Sequence, residues 1–213
     1  MFRVPLCVVF CMWFVYWIEI KFGYNFTAYG VYPRTLGGLK GILFSPFIHG
    51  DTRHLFNNSI PVFVFLLLLF YFYQSISFSV LLFGSLISGV LTWIIGKEAY
   101  HIGMSGVVYL LFSFIFFSGV FRKHFRLIAV SLIVIFLYGS MFWYIFPVEK
   151  GVSWEGHLSG LLTGLLFAIL YKNKGPQQKA YTFTQTEFDL LFDANGNFNP
   201  PQREEAEDQE ILE

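Results

Sequence analysis

The sequence predicts an all-α fold, a polytopic membrane protein of six transmembrane helices with a long first extracytoplasmic loop. Of 213 residues, 55% are apolar and only 13% charged, about half the ~25% charge of a soluble domain. Apolar runs recur along the chain at the length that spans ~30 Å of hydrocarbon at 1.5 Å per residue. Aromatic content is high, with 28 Phe, 12 Tyr and five Trp, and Tyr and Trp gather at membrane interfaces.

The first span, Val4–Ile20, has no charge from Val4 to Ile18 and carries bulky aromatics to its end. A cleaved signal peptide has a short apolar core and a small-residue cleavage site, so a retained helix is expected here. Cys7 and Cys11 stand four apart on it and read as small apolar fillers on one face, neither a disulfide nor a metal pair. After a long loop come His54–Tyr73, Ile76–Ile95, Ser105–Phe121, Leu127–Phe146 and Trp154–Tyr171.

The formal net charge of zero conceals two regions of opposite sign. From Gly175 onward nine acids (Glu187, Asp189, Asp193, Glu204, Glu205, Glu207, Asp208, Glu210 and Glu213) face Lys179 and Arg203, a net of −7, so the preceding residues carry +7. A membrane domain over 1–172 and an acidic cytoplasmic tail over 173–213 are therefore expected. With Gly196, Pro200 and Pro201 and no sustained apolar period, the tail is expected to be largely disordered. Phe188–Phe192 is its one apolar cluster, a candidate docking element.

Lys and Arg distribution sets the orientation. Arg3, the group Arg122, Lys123 and Arg126, and the pair Lys172 and Lys174 fall on one side of a six-span chain, the cytoplasmic side. Lys97 and Lys150 are sparse on the other, although the first loop contributes Lys21, Arg34, Lys40 and Arg53 there. Both termini are expected inside, in a bacterial cytoplasmic membrane. The fourth and sixth spans then run parallel, from outside inward.

Polar groups at the outer ends of the spans are costly and count as functional candidates. Ser105 begins the fourth span in Gly103-Met104-Ser105-Gly106, and His157 lies near the head of the sixth in Gly156-His157-Leu158-Ser159-Gly160. Gly156, Gly160 and Gly164 repeat every four residues, a spacing that lets two transmembrane backbones approach closely. A hydroxyl becomes a nucleophile when a base takes its proton, and neutral imidazole suits that work near neutral pH. Glu155, two residues before His157, is expected to point away from it. Tyr109, one turn below Ser105, is the expected orienter of the ring, giving a dyad. Acyl transfer also needs oxyanion donors: the Ser105 N–H at its helix N-terminus, and His54 and Asn58, four apart at the outer end of the second span.

These residues resemble the rhomboid intramembrane serine proteases. Gly103-Met104-Ser105-Gly106-Val107-Val108-Tyr109 is similar to the family's G-x-S-G signature with its tyrosine, and Gly156–Gly160 to its histidine helix. His49, His54 and Asn58 match the spacing of two histidines and an asparagine on its second helix, and the stretch from Tyr32 to His49 resembles its first loop. The resemblance covers residues 1–172 and implies a six-helix core whose serine opens outward into a watery cavity. It implies hydrolysis of peptide bonds in or beside transmembrane segments of membrane proteins, with no cofactor and no metal. Ser105 would be nucleophile and His157 general base, then acid. Asn58, His54 and the Ser105 N–H would hold the oxyanion, with Gly103, Gly106, Tyr109 and Gly160 supporting and His49 anchoring the loop. Expected partners are transmembrane substrates and the lipid bilayer, with no nucleic acid.

Two other classes stand beside this one. His49, His54, His101 and His157 all fall near the outer face and could ligate a metal in a membrane hydrolase or transporter; the sequence has no H-E-x-x-H to support such a site. A catalytically silent relative that binds transmembrane segments is the other, and the joint presence of Ser105 and His157 argues against it.

Overall fold

The computed structural model describes residues 2–147, 151–177 and 182–199. The chain divides into two compact units, Met1–Gln178 and Lys179–Glu213. The first is all-α. α1, Arg3–Phe22, ends where Gly23 turns left-handed (φ 68°) and donates its N–H to Glu19, a common helix stop. The following loop winds through 3₁₀ turns at Thr27–Tyr29, Leu36–Lys40 and Ser45–Phe47 and a four-residue α2, Gly41–Phe44.

α3, Thr52–Phe72, starts at Asp51, whose carboxylate accepts the His54 N–H at 2.8 Å and satisfies one of the free donors of the first turn. α4 is Ser77–Ile95 and α5 is Ser105–Arg122. α6 is Phe125–Tyr138, and α7, Trp154–Leu170, is capped by the Ser153 hydroxyl, which accepts the Gly156 N–H at 3.2 Å. Among the described residues, α1, α3, α4 and α5 are long and apolar enough to cross a membrane, and α6 and α7 are shorter apolar helices of 14 and 17 residues.

The fifth apolar stretch departs from the expected single helix over Leu127–Phe146. Its α-helix stops at Tyr138 and the chain continues as a 3₁₀ run, Gly139–Ile145. Gly139 is a poor helix former, and hydropathy, which set the expected length, does not separate α from 3₁₀ winding. Lys150 lies outside the described residues.

α5 lies at the centre: 67% of its apolar window is buried in the bundle, against 11% for α1. Its partner is α7. A Cβ at Gly160 would overlap the Gly106 carbonyl, and one at Gly164 the Leu110 carbonyl, so the two backbones touch where side chains are absent. At Gly156 an added Cβ would meet Ser153 and Thr92 first, whereas its carbonyl lies 3.4 Å from where a Cβ on Gly106 would stand. Ser113 Oγ donates to the Leu161 carbonyl at 2.7 Å. At the far end Arg122 Nη2 donates to the carbonyls of Tyr171 (2.5 Å) and Lys174 (2.6 Å), filling acceptors that a helix C-terminus leaves free.

In the second unit a 3₁₀ turn, Asp189–Leu191, is held by Asp189 Oδ2 accepting from the Thr186 backbone and hydroxyl. Asp193 similarly accepts from Asn195 and Asn197. Of the expected acidic tail, Lys179, Pro200, Pro201, Arg203 and the acids from Glu204 to Glu213 lie outside the described residues.

Candidate active site

A cavity of about 890 Å³ opens among α3, α5, α7 and the 3₁₀ run after α6, and its lining includes His54, Asn58, Ser105, Tyr109, Tyr144 and His157. Sequence spacing had placed His54, Asn58, Ser105 and His157 at one depth on three helices, and all four line this cavity. A second cavity, of about 40 Å³, lies against Ser105 and Gly106 and is lined also by Ser88, Thr92 and His101.

Ser105 is the first residue of α5 and half-buried. The first intrahelical bond at this end runs from Val108 N–H to the Met104 carbonyl, so the amides of Ser105, Gly106 and Val107 have no partner within the helix. The loop that delivers Ser105 is held from three directions. Val31 and His101 exchange backbone bonds (2.9 and 2.8 Å), Gly103 N–H donates to the Ser45 carbonyl (2.9 Å), and Met104 N–H donates to His49 Nε2 (3.4 Å). Gly103 has φ +103°, where L side chains are strained, and a Cβ there would strike the His54 ring. This glycine lets the second-span residues close on the serine loop.

His157 is buried, with its ring stacked on Tyr109 at 4.2 Å and 9° between planes. Its Nδ1 lies 2.8 Å from the Tyr144 carbonyl. A carbonyl only accepts, so Nδ1 carries the proton and Nε2 keeps its lone pair. Sequence reasoning missed this partner because a backbone acceptor leaves no mark in residue type. Glu155 is buried, and its Oε2 has no hydrogen-bond partner among the described residues.

On α3, Asn58 is buried while Asn57 beside it is exposed. Asn58 Nδ2 donates to the His54 carbonyl at 3.2 Å. The His49 and His54 rings meet edge to face at 5.0 Å.

His49 is fixed by the bonds it makes. Nε2 accepts from Met104, so Nδ1–H donates to the Phe47 carbonyl at 3.4 Å. Burial, and then the neighbouring His54, push its pKa down to about 4. An unfolded histidine near ~6.5 takes up a proton first as pH falls, so the folded loop is fully favoured above ~6.5 and loses that stability on the way to 4. Amide exchange at Met104 should accelerate across this window, and His49→Gln should flatten the dependence. An equally steep profile in that variant would assign the effect to another group.

His101 is buried as well, with Nδ1 2.5 Å from Ser153 Oγ and Nε2 3.0 Å from the Lys97 carbonyl. Both ring nitrogens of His49 and of His101 are thus spent on protein partners. The described residues contain no group of three or more His, Cys, Asp or Glu suited to a metal.

Residues 37–174 match the family described as Rhomboid domain. An uncharacterized protein of Mycobacterium tuberculosis (strain H37Rv) is 31% identical over 186 residues, covering 82% of this chain and 76% of that protein. One of Mycobacterium leprae is 33% identical over 153 residues, covering 66% and 59%. With a match over more than half its length that includes the helices carrying Ser105 and His157, this chain belongs to the rhomboid family and is an integral membrane protein.

Proposed function

We propose that this protein is an intramembrane serine endopeptidase that hydrolyses peptide bonds in or next to transmembrane segments of other membrane proteins. The observation that carries the reading is the state of His157 in a shared cavity with Ser105: Nδ1–H is committed to the Tyr144 carbonyl, leaving Nε2 as the base. Ser105 Oγ attacks the scissile carbonyl carbon while Nε2 takes its proton. The same proton then passes to the departing amine, which leaves an acyl-enzyme, and water activated by Nε2 releases the acid. The Ser105 N–H, Asn58 and His54 supply hydrogen bonds to the oxyanion. Tyr109 holds the plane of the ring, and no cofactor takes part.

In this reading the membrane domain covers 1–172 and the acidic segment 173–213 is a cytoplasmic tail. The chain crosses the membrane six times, with α6 and its 3₁₀ continuation as the fifth crossing and α7 as the sixth. Both termini lie inside and the cavity opens outward, a topology supported by Arg122, Lys123, Arg126, Lys172 and Lys174 at the inner ends. A bacterial cytoplasmic membrane is the proposed location.

The purified protein, reconstituted in vesicles with a reporter carrying one transmembrane helix, should cut that reporter, and chelators should leave the rate unchanged. Losing one preorganised donor costs ~10²–10³ in kcat where donors are few. With His54 and a helix amide remaining, Asn58→Ala should cost roughly tenfold to a hundredfold, chiefly in kcat. Unchanged turnover in that variant would make Asn58 structural, and absence of cleavage by the wild type would refute the proposal.

A further inference from the structure

We infer that His101 is a positioning residue that couples the helix carrying Ser105 to the helix carrying His157 at their outer ends. The inference rests on the serine protease reading and adds to it a residue outside the reacting set.

The bonding around the imidazole is directional. The Lys97 carbonyl accepts only, so Nε2 carries the proton and Nδ1 is an acceptor. The hydroxyl of Ser153 therefore donates to Nδ1, and its oxygen accepts the Gly156 N–H at 3.2 Å. The backbone continues the linkage, with His157 N–H donating to the Ser153 carbonyl at 3.2 Å. One imidazole thus joins the loop four residues before Ser105 to the cap four residues before His157. Each link has a defined donor and acceptor.

The surroundings are shaped to hold this ring. A Cβ at Gly96 would come within 2.8 Å of His101 Nε2, and a Cβ at Gly30 would come within 2.8 Å of the His101 carbonyl. The two backbone bonds with Val31 fix the residue from the opposite side. Below the clamp, α5 and α7 touch at Gly160 and Gly164. The upper of those contacts lies beside Gly106, and above it the loop before Ser105 and the cap before His157 are separate segments of chain. His101 and Ser153 close that end, where the reacting pair sits. A shift of ~1 Å in a reacting group costs on the order of 10²-fold in rate, so a link at this height acts on kcat.

Amide substitutions separate the two bonds. The side-chain oxygen of Asn stands where Nδ1 does and can still accept from Ser153, whereas the terminal amide of Gln reaches the Nε2 position and can still donate to Lys97. Rates of fluorophosphonate labelling at Ser105, resolved into a maximal rate and an apparent affinity, are the readout, with melting temperature alongside. His101→Ala, His101→Gln and Ser153→Ala should each lower the maximal rate about tenfold or more at unchanged affinity. His101→Asn should stay within about threefold of wild type. The double variant His101→Ala/Ser153→Ala should be no slower than either single one, because both remove the same link.

A His101→Gln protein as fast as wild type would overturn the clamp, as would a His101→Asn protein as slow as His101→Ala. Loss confined to melting temperature, with labelling intact, would overturn it too and leave His101 merely structural. If His101→Ala does not accumulate in folded form, the Asn and Gln pair decides. Wild-type protein that fails to label at Ser105 would refute the protease reading and this inference with it; wild-type labelling with unaffected variants refutes only the inference.

Discussion

Fluorophosphonate labelling should mark wild-type protein at Ser105, and both Ser105→Ala and His157→Ala should lose labelling and cleavage by several orders of magnitude. An isolated serine hydroxyl stays protonated and reacts slowly; in the proposed reading Nε2 of the buried ring removes that proton. Groups that act as a unit are strongly non-additive, so the double variant should retain the same residual rate as either single one. Neither side chain belongs to the apolar core, so all three variants should still insert and fold. A His157→Ala protein that still labels at Ser105, or cleavage abolished by a chelator and restored by zinc, would remove the dyad and revive a metal-dependent reading.

Adding one methyl group at Gly160 should slow the reaction severely with every reacting group left in place. Its Cβ would overlap the Gly106 carbonyl, one residue from Ser105, and press on Leu110 N and Tyr109 Cβ. Two of the three atoms are backbone and cannot rotate away. The helices must separate, at a cost of about 1–3 kcal/mol in packing, and the separation falls between nucleophile and base. Gly160→Ala should therefore lower kcat on the order of 100-fold while helical content is retained. Gly37→Ala, where no atom lies within 4 Å of the added Cβ, is the matched control and should stay within about twofold. Equal activity of the two variants would mean that the α5–α7 approach is looser than the coordinates show.

What could be read in the sequence was whatever residue type alone encodes. Length and hydropathy located the apolar segments, and Ser105 proved to be the first residue of α5 because glycine and a polar residue interrupt the apolar run there. The i, i+4 rule brought His54 and Asn58 to one cavity. The unread parts depend on backbone atoms or on tertiary neighbours. The Tyr144 carbonyl beside His157 is an acceptor every residue possesses. Gly156, Gly160 and Gly164 look alike in the chain, yet an added Cβ would overlap α5 backbone at the latter two and would meet Ser153 first at Gly156. His101 invited comparison with metal ligands by its residue type, whereas its two nitrogens are bonded to Ser153 and Lys97. The change from α to 3₁₀ winding within the fifth apolar stretch reflects the same limit, since hydropathy does not distinguish the two.

The bond from His157 to the Tyr144 carbonyl has a consequence for how activity could be lost without unfolding. α5 and α7 are fastened along their glycines and at the Arg122 end, so the serine is placed by a rigid pair. The tautomer of the base is held from elsewhere, by the 3₁₀ run Gly139–Ile145. A hydrogen bond of this kind is worth about 1 kcal/mol net, which corresponds to roughly a fivefold population ratio. Small displacements of that run would let the ring proton move to Nε2, giving a molecule that is folded, inserted and idle. Imidazole nitrogen resonances would distinguish that resting form from the competent one, since the protonated nitrogen differs between them.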